Sequence, residues 1–199
     1  MSPRRRILVV SDDEDLRQVL VEQLQIYEEF TAEEAPTGTA AIDRIKEQYF
    51  DGIVLDTGLS DMCGREVCRV MRRTGVKSPI IMLTSSDTDH ESTSTPELYT
   101  GANHHITKPF KIGMLLNSLR TSIREHEQSQ HAVFQIGPYT FRPATKIMVD
   151  METEKKVRLT DKETAIVKFL YLAGERVVSR NDLLGEVWGY NADVTTVSY

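Results

Sequence analysis

Four short runs in this chain, three of them wholly apolar, each lead into a polar residue suited to phosphoryl chemistry. Ile7-Leu8-Val9-Val10 is followed by Ser11-Asp12-Asp13, Ile53-Val54-Leu55 by Asp56, Ile80-Ile81-Met82-Leu83 by Thr84, and His105-Ile106-Thr107 by Lys108-Pro109. A carboxylate such as Asp56 can attack phosphorus and carry the group as an acyl phosphate. Two anions must meet for that to happen. A hard divalent cation offsets their repulsion, and Mg²⁺ shared by Asp12, Asp56 and the phosphoryl oxygens would serve. Lys108 adds a positive charge and Thr84 a hydroxyl donor, so the set offers the positioning and electrostatics that phosphoryl transfer requires. Singly, each residue has an ordinary explanation: helix caps for Asp12, Asp13 and Asp56, a turn for Thr84, a surface cation for Lys108. Their shared place, at the carboxyl ends of four runs, makes them a candidate site.

They converge only if the runs are strands of one parallel sheet, where ligands bind outside the carboxyl ends at the point of reversed strand order. Three runs are continuous rather than alternating, as strands covered on both faces must be. Phe30-Thr31-Ala32 and His105-Ile106-Thr107 are more polar and suit the two edges. Leu16, Val19, Leu20 and Leu24, and again Ile112, Leu115, Leu116, Leu119 and Ile123, recur at spacings of three and four, which predicts helix faces packed on the sheet. The order is that of a doubly wound α/β domain.

These residues resemble the response-regulator receivers. The carriers are Ile7 to Asp13, Asp56-Thr57-Gly58-Leu59-Ser60-Asp61-Met62-Cys63-Gly64, Ile80 to Thr84, Gly101-Ala102 and Ile106-Thr107-Lys108-Pro109-Phe110. The resemblance implies a flavodoxin-like fold with five parallel strands, Asp56 as phosphoacceptor, Asp12 and Asp56 as Mg²⁺ ligands, Thr84 and Lys108 as sensors of the phosphoryl group, and a cis Lys108-Pro109 bond. It also implies a sensor histidine kinase as partner. The sequence departs from the family at several points. Ser11 stands where a first acid is usual, so the site loses one charge unless Asp13 compensates, and Mg²⁺ binding should be weaker. His105 occupies the aromatic switch position, Ser60 replaces a proline, and Ser85 to Thr100 is about two residues longer than usual. Asn103 and His104 replace acids, while Met114 and Ser118 stand where a charged pair is common, so phosphorylation should promote dimerisation only feebly. His104 and His105 are not read as a metal pair, because adjacent strand residues point to opposite faces.

Beyond the last receiver helix the chain changes character. Residues 126–131 are polar and read as a linker between a domain at 1–125 and another at 132–199. Short antiparallel strands are predicted within Val133 to Phe141, Lys146 to Met151 and Lys155 to Leu159. Thr160-Asp161-Lys162-Glu163 forms a capping box before Ile166, Phe169 and Leu170, Gly174 ends that helix, and Ser179 to Asp182 opens another carrying Leu183, Leu184, Val187 and Trp188. Trp188 reads as a core aromatic. This part resembles the winged-helix effector domain of OmpR/PhoB-type regulators, carried by Arg158 to Glu163, Gly174 to Arg180 and Leu183 to Tyr190. Major-groove readers need a recognition helix. In this family that helix begins near Thr195 to Tyr199, so the effector is expected to be incomplete, lacking most of that helix and the wing, and residues 1–199 alone are expected to bind no specific DNA.

Composition agrees with a two-domain regulator. Of the 199 residues, 1–131 hold 15 Lys/Arg against 21 Asp/Glu and 132–199 hold 9 against 9, so neither part is a basic patch of nucleic-acid type. No apolar run approaches the roughly 18 residues of a membrane span, and no signal peptide is evident, so a cytoplasmic protein is expected. Cys63 and Cys68 fit neither a zinc site nor a redox pair. The expected function is therefore a non-enzymatic response regulator controlling transcription, with DNA as a partner if the effector is complete and a homodimer left open. A competing class is a signalling module without DNA binding, a phosphate sink or dimerisation partner. An aspartyl phosphatase fits poorly, since Asp56-Thr57-Gly58 lacks a second acid two residues on.

Overall fold

The computed structural model describes residues 4–85, 101–174 and 176–189. The chain forms two compact units that divide between Ser129 and Gln130. The first contains β1 (Arg5–Val10), α1 (Glu14–Gln25), β2 (Phe30–Ala35), α2 (Gly38–Glu47), β3 (Gly52–Asp56), α3 (Gly64–Arg73), β4 (Ile80–Ser85), β5 (His104–Lys108) and α4 (Ile112–Gln128). Its five strands lie in the order β2-β1-β3-β4-β5, and each neighbouring pair is parallel. The polar runs at Phe30 and His105 are the edges, as expected. Strand order reverses between β1 and β3, which places Ser11 and Asp56 side by side at the switch point.

The period of two sorts the strand residues between two cores. Ile7, Val9, Val54, Ile81 and Leu83 face Leu20, Val21 and Leu24 of α1 and Leu115, Leu116, Leu119 and Ile123 of α4. Leu8, Val10, Ile53, Leu55, Ile80 and Met82 face Ala41 of α2 and Val67, Cys68 and Met71 of α3. Burial on both faces explains the continuous apolar runs. Each fully buried large aliphatic residue contributes about 1.5–3 kcal/mol relative to exposure.

α2 and α3 cover the other face of the sheet and are amphipathic, though fewer large aliphatic residues mark them than mark α1 and α4. The buried α2 residues are the small Gly38 and Ala41, while α3 buries Val67, Cys68 and Met71 and turns Arg65, Arg69 and Arg73 away from that face. A Cβ on Gly38 would come within 2.5 Å of Val67 and 2.7 Å of Met62, so the small residue permits the close approach of α2 to α3. The helix before the expected linker runs further than predicted, to Gln128. Its polar final turn still packs on the sheet's base, with Arg5 2.6 Å from Glu127 and the Tyr49 hydroxyl 3.4 Å from His126. Arg72 ties α3 to the β4 and β5 starts, donating to the carbonyls of Val76, Ser78 and Gly101 and to Asn103 Oδ1, which also accepts from the Ile80 N–H.

The second unit contains an antiparallel sheet of β6 (Phe134–Ile136), β7 (Tyr139–Arg142), β8 (Ile147–Asp150) and β9 (Lys156–Arg158) in that order, then α5 (Asp161–Ala173) and α6 (Arg180–Trp188). The predicted capping box of Thr160 with Glu163 is formed, and the predicted helix start at Ser179 to Asp182 is a second capping box. Gly174, at φ +59°, closes α5 in a region that favours glycine. The core is small: Ala132, Phe134 and Phe141, with Met148, Leu159, Val167 and Tyr171 packed against them. Phe134 packs against Tyr171 with the rings tilted by 36° and 4.4 Å between centroids. Trp188 corrects the expectation of a core aromatic, since it is 40% exposed. It is the last residue of α6, and its ring lies under the Lys162 ammonium at 5.1 Å while Phe134, Phe141 and Tyr171 fill the core. The same ammonium donates to the Val187 carbonyl at 2.6 Å, where a cation offsets the negative end of α6. The expected start of the recognition helix, at Thr195 to Tyr199, and most of the long segment Ser85 to Thr100 lie outside the described residues.

Candidate functional site

The site assembles on the carboxyl ends of β1, β3 and β5. Asp56 closes β3 and is 2% exposed, Ser11 follows β1 and is fully buried, and Lys108 closes β5. The Lys108 ammonium donates to Asp56 Oδ2 at 2.6 Å, and the Ser11 hydroxyl donates to the same oxygen at 2.9 Å. Oδ1 takes a longer bond, 3.3 Å, from the Gly58 N–H. A nearly buried carboxylate is thus held by one cation and one hydroxyl, with its second oxygen more lightly engaged. Charge-assisted bonds of this kind are about twice as strong as neutral ones.

The other predicted residues are nearby but not all joined to this set. Asp12 is exposed just beyond Ser11. Asp13 is the N-cap of α1, where its Oδ1 accepts from the Leu16 N–H at 3.0 Å. Thr84 is buried at the end of β4, and its hydroxyl lies 3.4 Å from that of Thr107 rather than on Asp56. His105 is half-buried on the edge strand, in register with Met82. The Lys108-Pro109 bond is cis.

Among the described residues, no group of three or more His, Cys, Asp and Glu side chains is placed to hold a metal ion. That follows from Ser11 replacing an acid and from Asp13 capping a helix. Two carboxylates, Asp12 and Asp56, are still a donor set that suits Mg²⁺, which is commonly held by one or two carboxylates with waters and phosphate oxygens.

Several positioning contacts are not evident from residue types alone. Arg17 donates through Nη1 to the Ser11 carbonyl at 2.8 Å and through Nε to Glu34 at 2.9 Å, bracing the turn after β1. Its place four residues after Asp13 is the only hint in the sequence. Gly64 opens α3 against the backbone of Asp56: a Cβ there would lie 2.1 Å from the Asp56 carbonyl oxygen and 2.8 Å from the Thr57 Cα. Gly64→Ala is therefore expected to cost about 1–3 kcal/mol and to displace the turn carrying Asp56. Urea unfolding followed by circular dichroism checks this, and an unchanged midpoint would contradict the close approach.

Asp61 accepts from the Gly38 and Thr39 N–H groups and from the Thr39 hydroxyl, each at 2.9 Å, so the turn after β3 caps α2. The Thr39 N–H, then that of Gly38, lower its pKa from 3.8 to about 2. Because the folded value is depressed, the bonds stabilise the fold above pH about 4, and that contribution is lost as pH falls toward 2. Asp61→Ala is expected to cost about 0.5–1 kcal/mol at neutral pH, at the low end for a cap because the group is exposed. Its deficit should shrink between pH 4 and pH 2, and a constant deficit in acid denaturation would refute the linkage.

Residues 7–120 match the response regulator receiver domain, and residues 154–198 match the family described as transcriptional regulatory protein, C terminal. The response regulator MprA of Mycobacterium avium (strain 104) is 32% identical over 189 residues, spanning 94% of this chain and 81% of the relative. The response regulator DrrB of Thermotoga maritima, described as an OmpR/PhoB homolog, superposes with a TM-score of 0.51 at 26% identity over 94% of this chain and 81% of DrrB. The chemotaxis protein CheY4 of Vibrio cholerae superposes with a TM-score of 0.52 at 27% identity, covering 60% of this chain and 99% of CheY4. Among the described residues no helix is long and apolar enough to cross a membrane. With a receiver sheet ending in Asp56, a second unit of strands and capped helices, and relatives that match both, the chain belongs to the response-regulator family, OmpR/PhoB type.

Proposed function

We propose that Asp56 is the phosphoacceptor of this regulator, that a sensor histidine kinase supplies the phosphoryl group, and that the C-terminal unit passes the signal to DNA. The observation that carries this reading is the 2.6 Å contact of Lys108 Nζ with a carboxylate that is 2% exposed. In the transfer, an Asp56 oxygen forms the new O–P bond while the donor's bond to phosphorus breaks and the donor leaves with the electron pair. Lys108 offsets charge on the phosphoryl oxygens. Asp12 and Asp56 would hold Mg²⁺, which supplies charge neutralisation between the carboxylates and the incoming group. Asp13 serves α1 as a cap and contributes to that ion no more than long-range charge. Thr84 moves from Thr107 toward the phosphoryl group, and His105 reports the change along β5 to the last helix, a two-state rearrangement of the usual switching kind. The functional division follows the two units, a receiver ending near Ser129 and an effector beginning at Gln130.

Incubation with acetyl phosphate and Mg²⁺, followed by mass spectrometry after reductive trapping of the acyl phosphate, tests the reading. One label on Asp56 is the expected result. Label on Asp12 or Asp13, or none under any donor, would overturn it.

A further inference from the structure

The mechanism above leaves Ser11 without a role, yet it is among the most constrained polar residues in the receiver. It is fully buried, its carbonyl is held by Arg17 and its N–H donates to the Ala35 carbonyl at 3.3 Å. Arg17 is fixed in turn by Glu34. The hydroxyl so positioned reaches Asp56 Oδ2, the oxygen that also receives Lys108, while Oδ1 has only the longer bond from Gly58. An unconstrained serine would have rotamer freedom; this one is bound on its N–H, carbonyl and hydroxyl.

We infer that Ser11 is a positioning residue for the phosphoacceptor: its hydroxyl holds Asp56 Oδ2 against Lys108, so that Oδ1 is the oxygen presented for attack. The inference rests on the reading of Asp56 as the acceptor and assigns a task to a residue that composition alone would count as a missing charge. The physical reason is preorganisation. A carboxylate can rotate about its Cβ–Cγ bond and exchange its oxygens; two donors converging on one oxygen select one rotamer and leave the other oxygen's lone pairs available. An acid at position 11 could not donate to a carboxylate when ionised. It would instead add negative charge beside Asp56 and draw a divalent cation more strongly. Ser11 thus trades metal affinity for a fixed nucleophile.

The two roles separate in a titration. Phosphorylation by acetyl phosphate is measured at several Mg²⁺ concentrations for the full chain and for Ser11→Ala, Ser11→Thr and Ser11→Asp, and Mg²⁺ affinity is measured independently by calorimetry. Ser11→Ala is expected to lower the rate at saturating Mg²⁺ about tenfold, corresponding to roughly 1.4 kcal/mol, while leaving the Mg²⁺ dissociation constant within twofold of the parent. Ser11→Thr, which keeps the hydroxyl, is expected to stay within threefold of the parent rate. Ser11→Asp is expected to tighten Mg²⁺ binding at least tenfold. An unchanged saturated rate in Ser11→Ala, or weaker Mg²⁺ binding with no loss of saturated rate, would overturn the inference, because the hydroxyl would then be idle or a metal-side group. If Ser11→Ala does not fold, the Thr variant decides: a saturated rate about tenfold or more below that of the parent would overturn the positioning role. Failure of the parent itself to be labelled on Asp56 would instead sink the phosphoacceptor reading.

Discussion

Asp56→Asn is expected to take up no phosphoryl group from acetyl phosphate and Mg²⁺, under conditions in which the parent chain is labelled to completion. The substitution keeps the shape of the side chain and leaves an oxygen that can still accept from Ser11 and Lys108. What it removes is the anionic nucleophile, and an amide oxygen cannot replace it. Asp56→Ala should be equally inert but less well tolerated, because it leaves Lys108 and the buried Ser11 hydroxyl without their acceptor. Lys108→Ala removes the cation from a nearly buried carboxylate. Its cost is about 1–3 kcal/mol rather than the larger value of a fully enclosed pair, since the lysine side chain is 27% exposed. Uptake should also slow, as charge on the phosphoryl oxygens loses its counterion. Stoichiometric labelling of Asp56→Asn, read by intact mass, would show that another carboxylate is the acceptor.

Phe134→Ala is expected to unfold the C-terminal unit while leaving the receiver able to be phosphorylated. Phe134 is fully buried and touches both Phe141 and Tyr171, at 6.0 and 4.4 Å between centroids. Removing a buried ring costs about 3–5 kcal/mol, and with a small core among its described residues this unit has little stability to spare. The chain has one tryptophan, Trp188, and it lies in this unit, so its fluorescence reports the effector alone. A urea titration should show the fluorescence transition moving to much lower denaturant, with Asp56 labelling retained. Loss of labelling together with the fluorescence change would mean that the two units fold as one, and an unshifted transition would mean that the core lies elsewhere.

The sequence by itself determined the receiver sheet and the residues at its carboxyl end. Continuous apolar runs can be satisfied only by burial on both faces, and the period of two then sends Ile7 and Val9 to one core and Leu8 and Val10 to the other. It also determined the starts of α5 and α6, because a capping box is a local motif whose partners are three residues apart. Tertiary structure alone decided which of the clustered polar residues meet. Asp12, Asp13 and Ser11 are adjacent in the chain, but backbone geometry turns Asp13 onto the α1 terminus and Ser11 onto Asp56. Thr84 and Lys108 both lie near the carboxyl ends of their strands, yet Lys108 donates to the carboxylate while the Thr84 hydroxyl bonds that of Thr107. The close seating of α2 on α3 was equally hidden, because a helical pattern in either segment does not say that Gly38 packs directly on Val67 and Met62. Trp188 shows the same limit in the second unit. Its apolar ring argues for a core, and its position at the end of α6 under Lys162 is a matter of three-dimensional placement that no local pattern encodes.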